Sequence, residues 1–245
     1  MKAIAVILGR GGSKGVPGKN TAPIAGKPCV QWTIEAAKSA QHVAHVIVSS
    51  DDPSMLAFAR AADAIAITRP SALANDTARV DDAARQAIVE FEKTHAEVPA
   101  HSPIVILYAN VPIRPPDLID RAVHLLRNSE CDSVQSYAAV GKYHPWWTAK
   151  LDDTGKVSPW EGDVLNHGVF RRQDLPAAYV PDGGIIALTR RALFYEIPGV
   201  PSGPHAFFGL DRRGVINPEG AVIDIDAPTD LLVADAILKE RYAHR

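Results

Sequence analysis

The sequence predicts a three-layer α/β/α domain built on a mostly parallel mixed sheet, and three observations predict it. Short, wholly apolar runs recur through the first half of the chain. They lack the polar alternation of a half-solvated strand, so they belong to strands buried on both faces. Amphipathic stretches separate them, in the strand-helix-strand order that crossover units on a parallel sheet require.

Residues 3–8, Ala-Ile-Ala-Val-Ile-Leu, are the first buried strand. A glycine-rich loop follows, then a helix over about 30–40 and a second strand over 43–50 that ends in Ser49-Ser50-Asp51-Asp52. Asp52 as N-cap and Pro53 at the first helical position open a helix reaching about residue 62. A third strand covers 64–68. The stretch 79–94 is an amphipathic helix with Val80, Ala84, Ala87, Ile88 and Phe91 on its apolar side. A further strand at 104–109 and a helix at 117–126 complete the regular half.

After 132–138 the pattern breaks. Residues 141–181 carry Trp146, Trp147, Trp160, several prolines and many charges without a sustained period. Such a segment predicts an arm outside the main sheet, with the tryptophans as apolar anchors of an interface. Strands at 184–188 and 221–226 and a helix over 228–242 close the chain. The organisation is one domain, 1–245, with the arm inserted at about 141–181.

The 245 residues are 47% hydrophobic, enough for a sizeable core, and the formal net charge of −2 argues against a nucleic-acid backbone as partner. The two cysteines, Cys29 and Cys131, have neither disulfide-framework nor metal-like spacing, which suits a reducing compartment. The opening apolar run is too short for a signal peptide or a membrane span. A cytoplasmic protein with no membrane partner is expected.

The chemistry concentrates in residues 9–20, Gly-Arg-Gly-Gly-Ser-Lys-Gly-Val-Pro-Gly-Lys-Asn, directly after the first strand. Ligands of open α/β sheets bind at the carboxyl ends of strands. Glycines let backbone N–H groups approach phosphate oxygens, and Arg10, Lys14 and Lys19 supply positive charge. Two standard phosphate loops are near misses. A P-loop needs glycine five residues before Gly18, where Ser13 stands, and Ser or Thr where Asn20 stands; the dinucleotide fingerprint needs glycine where Lys14 stands. Asp51 could still serve as a ribose-binding acid, so an NAD(P) oxidoreductase remains a rival, as does a nucleotide-binding protein without turnover.

At this loop the chain resembles the N-acylneuraminate cytidylyltransferases, the CMP-sialic acid synthetase family. Their hallmark R-x-x-S-K-G-L/I-P-x-K-N is matched by Arg10, Ser13, Lys14, Gly15, Pro17, Lys19 and Asn20, with Val16 as a mild change. Ser49-Ser-Asp-Asp52 resembles the family's segment after the second strand, and Arg69-Pro70 with Leu73-Ala-Asn-Asp-Thr77 its R-P-x-x-L-A-x-D-T segment. Val111-Pro-Ile-Arg114 resembles the end of its Q-P-T-S-P-x-R loop, His144-Pro145 a His-Pro pair near the sugar, and Pro181-Asp-Gly-Gly184 and Asp224-Ile-Asp226 its late elements.

The resemblance implies a nucleotide-diphospho-sugar transferase-like, Rossmann-like fold with a dimerisation arm, hence a homodimer. It implies CTP and a small acidic sugar as substrates, with CMP transferred and pyrophosphate released. Arg10, Lys14 and Lys19 would hold the triphosphate as the catalytic cations, and Gly11, Ser13, Asn20, Arg69, Asn110, Arg114 and His144 would contact the substrates. Asp224 and Asp226 would hold Mg2+; two residues apart on a strand, they would share one face, with Ile223 and Ile225 turned to the core. The alternative for Asp226 is a cap on the helix near Pro228. The family's Q-P-T-S-P becomes Tyr108-Ala-Asn-Val-Pro112, and Ile186 replaces an aromatic, both on the sugar side. The acceptor could therefore be another 2-keto sugar acid such as Kdo, or the nucleotide another NTP. Arg171-Arg172 could reach an acidic sugar or be solvated, and Phe207-Phe208 could line its pocket or fill the core.

Overall fold

The computed structural model describes residues 1–12 and 15–243, so Ser13 and Lys14 lie outside the described residues. The elements run β1 (Ala3–Leu8), β2 (Pro23–Ile24), β3 (Lys27–Pro28), α1 (Cys29–Ser39), β4 (Val43–Ser50), α2 (Pro53–Ala61), β5 (Ile65–Thr68) and α3 (Val80–Glu92). Then come β6 (Pro103–Tyr108), α4 (Leu118–Asn128), β7 (Ser133–Ala139), β8 (Ala149–Leu151), β9 (Val157–Pro159), β10 (Tyr179–Thr189), α5 (Arg190–Leu193), β11 (Arg212–Asn217) and α6 (Pro228–Ala243).

Among the described residues the central sheet has seven strands, in the order β11-β7-β10-β6-β1-β4-β5. Only β10 runs antiparallel to its neighbours. The apolar run of β1 explains its central place. Ala3, Ala5 and Ile7 face α1, α2 and α4, whereas Ile4, Val6 and Leu8 face α3 and α5. Every residue of β1 is buried, as a strand covered by helices on both sides must be. The expected three-layer mixed sheet is the observed one.

Local signals explain the helix starts. Asp52 caps α2 by accepting from Ser54 N at 2.8 Å, with Pro53 at the first position. The helix expected from residue 79 begins at Val80 and buries Ala83, Ala84, Ala87, Ile88 and Phe91. It also buries Asp81, which the apolar pattern did not flag.

The expected strand at 221–226 is not one. The segment is extended and joins a neighbour through a single bridge, Ile113 to Ile223. Its alternation survives without a ladder: Ile225 is fully buried in the packing under α6, while Asp224 and Asp226 are exposed. Two backbone-level pins replace the ladder, Ile225 N donating to Asn110 O at 2.8 Å and Asn110 Nδ2 to Ile225 O at 3.2 Å. Of the segment 141–181, residues 179–181 already belong to β10, and the described residues before them hold only a small β8–β9 hairpin and short 3-10 turns. Trp146 and Trp147 are spent inside it, one stacked on His167 and the other donating from its indole to Val169 O. Of the three tryptophans only Trp160 is exposed. No helix is long and apolar enough to cross a membrane among the described residues.

Asp81 ties α3 to the chain after α5. Its side chain is 1% exposed and accepts from Arg79 Nε, Arg79 Nη2 and Arg85 Nη1, each at 3.1 Å, and from the Tyr195 hydroxyl. Tyr195 has a φ of 60°, a left-handed conformation that a bulky residue holds only under constraint. Burial opposes the Asp81 charge, but Tyr195, Arg79 and Arg85 outweigh it and hold the carboxyl below its ordinary value of 3.8. A depressed carboxyl stabilises the fold above the unfolded pKa and loses that contribution as pH falls through the folded one. Asp81→Asn is therefore expected to lower stability by on the order of 3 kcal/mol at neutral pH. In urea denaturation the gap to wild type should close below about pH 4. A gap unchanged between neutral and acidic pH would mean the charge is not what holds these elements together.

Candidate active site

Three loops at the carboxyl ends of strands border one groove: residues 9–20 after β1, 69–79 after β5, and 109–114 after β6. The groove has a volume of about 270 Å3, and Arg10, Lys19, Asn20, Arg69 and Asn110 all line it. Five of the residues expected from the sequence are thus brought together.

Each is positioned by a specific contact. Gly9 lets the chain leave β1 close to its neighbours, since a Cβ there would lie 2.8 Å from Ala109 Cβ and 2.6 Å from Met55 Cε. Gly11 N donates to Asp51 Oδ1 at 2.9 Å, anchoring the loop to the end of β4. Asn20 is buried and donates from Nδ2 to Arg10 O at 2.9 Å, closing the loop on itself. Gly15 approaches the late acidic segment so closely that a Cβ would lie 2.5 Å from Asp226 O. In the same region Lys19 Nζ donates to Asp226 Oδ1 at 2.6 Å.

Arg69 is buried at the end of β5 and holds β4 through Nε to Ser49 Oγ at 3.1 Å and Nη2 to Ser49 O. Burial pushes its pKa down to about 10 against the pull of Asp51, and Arg10 adds to the lowering, so it stays charged near neutrality. Arg10 itself pairs with Asp76. Arg10 and Lys19 thus rest on carboxylates of neighbouring segments, Arg69 on Ser49.

Asp224 and Asp226 face one another closely enough to titrate as a pair. Desolvation first, then the Asp226 charge, raises the Asp224 carboxyl; contact with Lys19 lowers that of Asp226. Asp226 does not cap α6, because the acceptor there is Asp230, taking Asp226 N at 2.9 Å and Ala227 N at 2.7 Å. Neither carboxylate is thus spent on capping α6. No group of three or more His, Cys, Asp or Glu side chains able to hold a metal occurs among the described residues. Two close carboxylates beside a cationic glycine-rich loop nevertheless fit a hard divalent cation that would take its remaining oxygens from a bound anion and water.

Two expected site residues lie elsewhere. Arg114 is buried behind the groove, donating from Nη1 to Thr33 Oγ1 at 3.2 Å, while Nε and Nη2 lack a partner among the described residues. Burial pushes it down to about 10 against the pull of Cys29 and Asp182. His144 is buried in the arm, with Nδ1 accepting from Trp146 N and Nε2 facing Pro176 O, each at 3.1 Å, which makes it a packing histidine there. Arg171 and Arg172 pair with Asp174 and Glu219. Cys29 lies near the groove, but burial lifts its thiol to about 12, so it is inert at neutral pH.

A second cavity of about 440 Å3 adjoins the groove. Ala78, Arg79, Val80 and Tyr108 line both. The stacked pair Phe207 and Phe208, with ring centroids 4.2 Å apart, does both things open to it: each ring is buried and each lines this cavity. Ser133, Gln135 and Tyr137, alternating along β7, share the face that lines it, and β10 breaks register beside them between Pro181 and Ile186. The break is fixed by Asp182, which accepts from Gly184 N at 3.0 Å and Asn217 Nδ2 at 2.7 Å. Arg79, Gln135, Tyr137 and Arg212 carried no periodic signal in the sequence. Arg79 could have been found as the residue just before a helix whose start faces the strand ends.

A family model described as Cytidylyltransferase matches residues 4–153. An N-acylneuraminate cytidylyltransferase of Streptococcus agalactiae is 28% identical over 218 residues, covering 86% of this chain and 50% of that protein. The chain thus spans about half the length of the first such relatives. A pseudaminic acid cytidylyltransferase of Campylobacter jejuni is 28% identical over 244 residues, covering 99% of this chain and 98% of the other. The solved structure of a CMP:2-keto-3-deoxy-manno-octonic acid synthetase complexed with CTP superposes with a TM-score of 0.69 at 21% identity, over 98% of this chain and all of that one. At that identity the match speaks for the fold.

Proposed function

The chain belongs to the cytidylyltransferase family, and on that premise we propose that it transfers CMP from CTP to a 2-keto sugar acid with release of pyrophosphate. One observation carries the reading. Lys19 of the phosphate loop meets Asp226 across 207 residues of sequence, at the edge of a groove that Arg10, Asn20 and Arg69 also line. A cationic glycine-rich loop and a carboxylate pair in one place are the parts a triphosphate reaction needs.

In this reading the triphosphate lies along Arg10 and Lys19, joined by Lys14, with the nucleoside toward Arg69 and Asn110. Asp224 and Asp226 hold a divalent cation, magnesium, which when bound supplies neutralisation of phosphate charge. The sugar acid occupies the adjoining cavity. Its 2-hydroxyl oxygen bonds to the α-phosphorus while the bond from that phosphorus to the bridging oxygen of the β-phosphate breaks. Pyrophosphate leaves with the electron pair, and the hydroxyl proton passes to solvent. The basic residues stabilise the leaving charge, and holding the two substrates in line contributes the rest. The reduced, buried Cys29 and Cys131 support a cytoplasmic setting.

Incubation with CTP and a panel of eight- and nine-carbon 2-keto sugar acids should give a CMP-sugar, identified by mass, and pyrophosphate. Retained CTP binding without pyrophosphate release from any acid would falsify the reading. The arm supports a homodimer: Phe170, Tyr143 and Leu151 are 89%, 76% and 70% exposed on it, apolar side chains that a second copy would cover. Light scattering should give a mass of two chains, and Phe170→Asp should shift it toward one; a monomeric wild type would exclude the arm as a dimer surface.

A further inference from the structure

We propose that Arg79 binds the carboxylate of the acceptor and thereby makes the enzyme selective for 2-keto acids over neutral sugars; the proposal rests on the reading above.

The chemistry of the acceptor fixes where its carboxylate must lie. In the ring form of a 2-keto sugar acid, the attacking hydroxyl and the carboxylate are borne by the same carbon. When that hydroxyl oxygen stands in line with the α-phosphorus, the carboxylate is held next to the nucleotide, at the boundary between groove and cavity. That boundary is formed by Ala78, Arg79, Val80 and Tyr108. Of these four, only Arg79 carries a charge.

Arg79 is also built for the task. Its Nε and Nη2 rest on Asp81 at 3.1 Å each, and Nη2 is also 2.9 Å from the Tyr195 hydroxyl. The same Nη2 also donates to Gly203 O and Pro204 O, each at 3.3 Å. Nη1 donates to no described residue, and the side chain is 41% exposed. The guanidinium is therefore fixed on one edge and open on the other, a preorganised donor for a carboxylate. Asp81 keeps it fully charged. Tyr108, where the resembling family has glutamine, has its phenol raised by burial and adds no charge of its own.

Two other roles would look similar in a simple activity loss. Arg79 could only clamp the 203–204 loop, or it could grip the triphosphate. Arg79→Gln and Arg79→Lys separate these when KM for CTP, KM for the acid, and binding of the acid against its carboxamide are measured together. For Arg79→Gln the expected result is a loss of about tenfold to a hundredfold in kcat/KM for the acid, with KM for CTP within about twofold of wild type. The preference of wild type for acid over carboxamide should shrink by a similar factor, and Arg79→Lys should recover part of it. A preserved acid-to-carboxamide preference overturns the proposal in favour of the clamp. A raised KM for CTP with unchanged acceptor selectivity overturns it in favour of the phosphate role. A wild-type enzyme that binds CTP and consumes no 2-keto acid overturns the proposed function and this proposal with it. Turnover without an Arg79 effect overturns this one alone.

Discussion

The approach of the first loop to the last acidic segment is the constraint on which the site depends. It is enforced sterically, because only a residue without a side chain fits where Gly15 meets Asp226 O. It is enforced by hydrogen bonds, because Asn110 and Ile225 lock the acidic segment to the loop after β6. The Lys19–Asp226 contact then completes the closure. That ion pair is largely solvent-exposed on the Asp226 side, so it adds at most about 1 kcal/mol of stability. Its importance is electrostatic: it sets the Lys19 ammonium beside the two carboxylates.

The sheet makes this approach possible. β1 lies inside the sheet with β4 and then β5 on one side and β6 next to it on the other, so loops distant in sequence emerge side by side. The antiparallel β10 inserted between β6 and β7 does a second job. Its register break, held by Asp182, lies beside the β7 face from which Gln135 and Tyr137 line the neighbouring cavity. One sheet edge thus carries a narrow basic groove and a wider cavity, two stacked phenylalanines in its wall, that meet along a short boundary.

How much of this was legible depends on what each feature rests on. Buried strands and crossover helices were readable because their burial is periodic, and β1, β4 and α2 fall where the apolar runs and the Asp52-Pro53 start put them. The segment 221–226 reads as a strand because alternation reports burial, not pairing; its neighbours offer only the Ile113 bridge. Arg10, Lys19 and Asn20 were legible from charge and glycine density in one short loop. Arg114 and His144 resemble motif residues, yet the side chains that catch them, Thr33 for one and the Trp146 turn for the other, are set by packing that spacing does not encode. Arg79 and Asp81 stayed hidden for the converse reason. A buried acid in an amphipathic helix looks like a solvated one until Tyr195, some 114 residues on, is placed against it.

In the proposed function the glycine-rich loop and the late carboxylates form one metal-assisted triphosphate site. Calorimetric titration of CTP into the protein, with and without magnesium, tests it most directly when repeated on Asp226→Asn. The expected result is tighter CTP binding to wild type in magnesium, by about tenfold or more, and loss of that coupling in Asp226→Asn. The same magnesium dependence in both proteins would contradict the claim.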